Sequence, residues 1–233
     1  MARPARTPTP QRWRGREPVY ATLQPVVDGL ARLLFRVRLE GLERIPREGP
    51  ALVLPNHVSH LDPLVVFTAL TRLGRRPRFV ALADLWEKPV LGWVLDKGRM
   101  IPVHRGEGRR ASEQMVIAAC AAMQAGQIVV VYPEGQLPQP GQPQRPREGA
   151  GRLALATHAP VFPLAMSGVP RWTGGVPHLR RHVDVAIGAP LALDDLRSTA
   201  AHTENGPDYT TAIEASRRAM DAIQSLSAGP SQA

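Results

Sequence analysis

The sequence predicts an α/β fold: a single domain with a largely parallel sheet flanked by helices, preceded by an N-terminal amphipathic helix. Three observations carry this. Runs such as ALVL (51–54) and IVVV (128–131) are apolar without alternation, the mark of strands covered on both faces. Other stretches carry apolar residues at spacings of three and four, the mark of helices. The two kinds alternate along the chain, the order that builds parallel strands with crossover helices. With 233 residues, 43% of them apolar, the chain can bury one sizeable core.

Residues 1–17 begin MARPARTPTPQRWRGR, with five arginines and no apolar run, and read as a disordered basic arm. From Val19 the spacing of Val19, Leu23, Val26, Val27, Leu30, Leu33 and Leu34 predicts a helix over 18–34. Asp28, Arg32 and Arg36 interrupt it, so it lies on something. An anionic membrane surface suits it after a basic arm, and packing on its own domain suits it equally. The domain proper is expected over 35–226. Phe35, Val37 and Leu39 alternate with charged residues, a half-buried strand. ALVLP (51–55) is a buried strand. LVVFTALTRLG is a helix closed by Gly74. RFVALA and MIPVH are strands. A helix starts near Ser112 and stops at Gly126. IVVVY is a strand, GAGRLALATHA a helix, APVFPLAM and HVDVAIG strands. A last helix starts near Asp208, and residues 227–233 form a flexible tail.

The net charge of +9 suits partners that carry phosphate. Lys88 and Lys97 are the only lysines, so arginine carries nearly all of the positive charge. Nucleic-acid binding would rest on charge alone: aromatics are 5% and no recognised motif appears, so nucleic acid is not an expected partner. A single cysteine, Cys120, allows no intrachain disulfide and fits a reducing compartment. No run reaches the roughly 18 apolar residues of a membrane span.

The densest chemistry lies in PNHVSHLDP (55–63), just after the ALVL strand. In parallel sheets the working residues gather at the carboxyl ends of strands. Asp62 before Pro63 is a good helix start, the carboxylate accepting from free amides. That leaves Asn56, His57 and His60 without explanation. A metal reading takes His57, His60 and Asp62 as ligands, but H-x-x-H-x-D is not a familiar metal signature, and no metal is expected. A third reading pairs His57 with Asp62 as general base and orienting acid. Five residues apart, the two would lie about 140° apart on one continuous helix, so His57 must sit in the loop for them to meet.

Asn56-His57-x-x-x-x-Asp62 resembles the first block of the glycerolipid acyltransferase family, typified by 1-acylglycerol-3-phosphate acyltransferases. GRMIPVHR (98–105) resembles the second block, YPEG (132–135) the third and APVFPL (159–164) the fourth, all in the family's order. The resemblance covers roughly Phe35 to Gly188. It implies transfer of an acyl group from acyl-CoA or acyl carrier protein to a lysophospholipid hydroxyl, with no further cofactor. His57 would be the base and Asp62 its partner. Asn56, Gly98, Arg105, Glu134, Gly135 and Arg147 would contact substrate, Arg105 as the phosphate anchor. A peripheral enzyme on the cytoplasmic face of the cell membrane is implied. Cys120, amid alanines, reads as core, and His60 as structural. One departure stands out. The family's third block usually continues Glu-Gly-Thr-Arg-Ser, whereas here Glu134-Gly135 is followed by Gln136-Leu137-Pro138 and a loop rich in proline and glutamine.

Overall fold

A computed structural model describes residues 18–104, 108–139, 142–170, 181–201 and 207–227. The arm (1–17), Arg105 and the tail beyond Ser227 lie outside the described residues. Seven strands form one sheet in the order β1-β7-β6-β2-β5-β3-β4. These are β1 (Phe35–Glu40), β2 (Ala51–Pro55), β3 (Pro77–Leu82), β4 (Ile101–Val103), β5 (Ile128–Val130), β6 (Val161–Ser167) and β7 (Arg181–Ile187). All neighbours run parallel except β6 and β7. The expected α/β class holds.

β2 sits at the centre because nothing in it needs water. Ala51, Leu52, Val53 and Leu54 are all fully buried. Ala51 and Val53 join one core; Leu52 and Leu54 join the other. The first core is covered by α1 (Pro18–Leu34) and α2 (Asp62–Thr71), the second by α4 (Gly108–Gln124), α5 (Glu148–Ala156) and α7 (Tyr209–Ser227). β1, with one face solvated, alternates buried and exposed as its sequence does.

Two helices escaped the sequence reading: α3 (Pro89–Lys97) and α6 (Asp194–Ala201). Both are short, and Pro89 and Gly92 punctuate α3 like a loop. α4 begins at Gly108 rather than near Ser112. Gly74 has φ +74°, as its place after α2 requires.

One face of α1 packs on its own domain. Tyr20, Ala31 and Leu34 are buried against the domain, and Tyr20 stacks on Phe67 of α2 with ring centroids 5.7 Å apart. Val26, Leu30 and Leu33 stay exposed. No helix among the described residues is long and apolar enough to cross a membrane.

Candidate active site

The carboxyl ends of β2, β5 and β6 bring the first and third sequence blocks together. β2 ends at Pro55, and His57 follows in the loop before α2. Its Nδ1 lies 2.9 Å from Asp62 Oδ2. The amides of Val58 (2.6 Å) and Ser59 (2.8 Å) donate to the same oxygen. Three donors converge on one acceptor, so Nδ1 carries the proton and Nε2 keeps its lone pair. Asp62 is fully buried, while the His57 side chain keeps 18% of its surface exposed. The carboxylate thus holds the imidazole in one tautomer, the geometry a histidine needs to accept a proton at Nε2.

Asp62 is not the helix cap its position suggested. It is the first helical residue, after Leu61, and makes no cap bond to α2's amides. Its carboxylate reaches back over the loop. The loop is pinned further by Ser59, whose hydroxyl donates to the Pro170 carbonyl at 2.6 Å and accepts from the Leu61 amide. His60 is exposed.

Two residues expected at the substrate have other work. Both polar atoms of the Asn56 side chain are taken by Met166: Nδ2 donates to its carbonyl (2.9 Å) and its amide donates to Oδ1 (2.7 Å). Asn56 thus prolongs the β2–β6 ladder past the end of β2 and aims the loop. Gly98 precedes β4, at the amino end of the parallel strands, whereas His57 follows β2 at the carboxyl end. Its carbonyl accepts from the buried Arg78 guanidinium at 2.6 Å, and a Cβ there would sit 2.9 Å from the Val94 carbonyl oxygen. Gly98 therefore serves the turn between α3 and β4, not substrate.

The third block forms a turn over the site. The Gly135 amide donates to the Tyr132 carbonyl at 3.0 Å, with Pro133 in the second position. Gly135 has φ +65°, and a Cβ would lie 3.1 Å from Arg147 Cγ. The His57 amide donates to Glu134 Oε1 at 3.3 Å. The Tyr132 ring stacks on the His57 ring with centroids 4.1 Å apart and planes 23° apart. Burial pushes the Glu134 carboxyl above its ordinary pKa. Burial raises the Tyr132 phenol well above its own, and the Asp62 and Glu134 carboxylates add to this.

Arg147 joins the same turn. Its amide donates to the Pro133 carbonyl (2.8 Å), and its carbonyl accepts from the Ser216 hydroxyl of α7 (2.7 Å). Its guanidinium donates to Gln136 Oε1 at 3.3 Å. The glutamine-rich loop reaches His57 as well: Gln144 Nε2 donates to its carbonyl at 3.1 Å. The parts of Tyr132, Ser59 and Gln144 were missed in the sequence, where only membership of a motif marked the first two and nothing marked Gln144. Cys120 packs beside the second core, and burial pushes its thiol up, away from the reactive thiolate.

A family model described as Acyltransferase matches residues 36–167, more than half of the chain. The chain belongs to this acyltransferase family. The match spans His57, Asp62 and the Tyr132–Gly135 turn, so the region shared with the family contains the site just described. Its relatives include a chloroplastic 1-acyl-sn-glycerol-3-phosphate acyltransferase of Brassica napus, 26% identical over 73% of this chain and 52% of that protein. A Pseudomonas aeruginosa protein of the same name is 28% identical over 61% of this chain and 54% of its own. A lyso-ornithine lipid O-acyltransferase of Rhizobium meliloti is 29% identical over 63% of this chain and 44% of its own. The chain thus spans about half the length of the curated relatives it matches. The crystal structure of the 1-acyl-sn-glycerophosphate acyltransferase PlsC from Thermotoga maritima shares its fold, with a TM-score of 0.62 at 18% identity, covering 94% of this chain and 85% of that one.

Proposed function

We propose that the chain moves a fatty acyl group from an acyl-CoA or acyl-carrier-protein thioester to the free hydroxyl of lysophosphatidate, giving phosphatidate. The observation that carries this reading is the His57–Asp62 pair, with Nε2 available at the carboxyl end of the sheet. Nε2 takes the hydroxyl proton as the oxygen attacks the thioester carbonyl. The tetrahedral centre collapses, the C–S bond breaks, and the imidazolium returns its proton to the leaving thiolate. A thioester is already activated, so the chain's part is a base, positioning and charge stabilisation. Release of free thiol from a long-chain acyl-CoA, with and without lysophosphatidate, tests it. Acceptor-dependent release supports the reading. Binding of acyl-CoA without release would favour a protein that holds the ligand and turns nothing over.

A second acceptor, another lipid or glycolipid hydroxyl, is favoured by one feature. The residues after Gly135 lack the usual threonine and arginine, and Gln136 and Gln144 stand in the loop instead. Arg105 and Arg147 are the phosphate anchors of the lysophosphatidate reading. Removing one charge-assisted contact of about 1.5–3 kcal/mol predicts that Arg147→Ala raises KM for lysophosphatidate roughly tenfold or more, with kcat little changed. An unchanged KM would shift weight to an acceptor without phosphate.

The enzyme would work as a peripheral protein on an anionic membrane, at its cytoplasmic face. Supporting this are Val26, Leu30 and Leu33, exposed on α1, and Val90 and Trp93, exposed on α3 between Lys88 and Lys97. Each apolar side chain withdrawn from water is worth about 1.5–3 kcal/mol. The pair Val26→Glu and Leu33→Glu is therefore expected to weaken binding to phosphatidylcholine–phosphatidylglycerol vesicles at least about tenfold. Sedimentation with vesicles measures this, and unaltered partitioning would move the contact elsewhere.

A further inference from the structure

Family resemblance assigns Glu134 to the acceptor. Its surroundings argue for another role. The residue is only 3% exposed. Oε1 accepts from the His57 amide, and Oε2 is buried without a hydrogen-bond partner among the described residues. An acceptor gains little from a carboxyl group enclosed in this way, since the group has no open face to meet it. Two further buried atoms share its condition: Asp62 Oδ1 and the Tyr132 hydroxyl also lack partners. All three belong to residues that touch His57 directly, through its ring or its backbone.

Unpaired buried polar atoms are costly, so their concentration at one spot needs a reason. Their common neighbour, His57, supplies one. Burial raises the Glu134 carboxyl above its ordinary pKa, and its Oε1 accepts from the His57 amide. Tyr132 adds a steric constraint. Its ring lies nearly parallel to the imidazole at 4.1 Å, so the imidazole cannot turn about its χ2 bond without losing the stack. Such a turn would also break the bond to Asp62.

We propose that the turn after β5 serves the base and not the acceptor: Tyr132 fixes the plane of the imidazole, and Glu134 fixes the backbone from which it projects. Both are positioning residues. The inference rests on the acyl-transfer reading, but its geometric half can be tested without turnover.

The experiment compares Tyr132→Leu, Tyr132→Phe, Glu134→Ala and Glu134→Gln in the full chain, by kinetics and by proton NMR of the histidine rings. The His57 signals are assigned by their loss in His57→Ala. The wild-type signals should be displaced upfield by the Tyr132 ring. Phenylalanine should keep that displacement and leucine should abolish it. In kinetics, small misplacements of a base cost up to about 100-fold, so Tyr132→Leu should lower kcat about 10- to 100-fold at unchanged acceptor KM. Phenylalanine should restore most of that loss. Glu134→Ala should lower kcat in the same way. Glutamine, an isostere that keeps the oxygen accepting from the His57 amide, should restore most of the loss. Three results would overturn the proposal: a raised acceptor KM with intact kcat in either Glu134 variant, wild-type kcat in Tyr132→Leu, or His57 signals without a ring-current shift. Should Glu134→Ala not fold, Glu134→Gln decides, and a kcat loss of tenfold or more there would also overturn it. Absence of thiol release in the wild type would sink the acyl-transfer reading, while the ring-current comparison would still judge the geometry.

Discussion

His57→Ala is expected to lose acyl transfer about 10²- to 10⁴-fold while the fold persists, the range assigned to a positioned general base. His57 lies in a loop, keeps some exposure and is not itself a member of either core. What the substitution removes is Nε2, the atom to which the proposed mechanism gives the hydroxyl proton. Asp62→Asn should come close in effect. An amide in place of Oδ2 cannot accept from Nδ1 and from the Val58 and Ser59 amides at once, so the imidazole loses its tautomer and the loop its anchor. Thiol release measures both, and circular dichroism checks the fold. Full activity in folded His57→Ala would end the general-base mechanism.

The largest stability loss is expected at a glycine far from the chemistry. At Gly151 in α5, a Cβ would lie 1.8 Å from the Ala212 carbonyl oxygen of α7 and 2.8 Å from Ser216 Oγ. A backbone oxygen cannot rotate away, so the helices must part. Alanine's better helix propensity would return only about 1 kcal/mol. Overpacking costs about 1–3 kcal/mol, and a contact this close falls at the upper end, so Gly151→Ala should destabilise by about 2 kcal/mol net. In a chain of this size that lowers Tm by about 4–8 °C. Gly29→Ala in α1 is the control: nothing lies within 4 Å of its Cβ position. It should leave Tm unchanged or raise it, by up to about 1 kcal/mol of stability. Equal melting of the two variants would show that α5 and α7 adjust freely. The contact also bears on the site, because Ser216 holds the Arg147 carbonyl beside the third-block turn.

Local signals made most of the fold legible in the sequence. β2 is unbroken apolar and proved central; β1 alternates and proved to have one wet face. Gly74 marked a helix end because left-handed backbone favours glycine. The short helices α3 and α6 were missed because two turns of helix carry too few apolar positions to show a period.

The pairing of His57 with Asp62 was legible for the same reason: both lie within six residues, and loop followed by helix is the geometry in which they meet. The sequence alone therefore determined the fold class and the contact between His57 and Asp62. It could not determine what each remaining motif residue faces. Asn56 looked free for substrate until β6 arrived beside it and Met166 took both of its polar atoms. Gly98 looked like part of the site until the register of β3 and β4 placed it at the opposite end of the sheet. Glu134 looked like an acceptor contact until the β2 loop closed over it and left it 3% exposed. These roles depend on neighbours 77 and 110 residues away in sequence. Spacing along the chain carries no record of such contacts, because side-chain partners across a sheet are chosen by strand order and register, which only the folded core fixes.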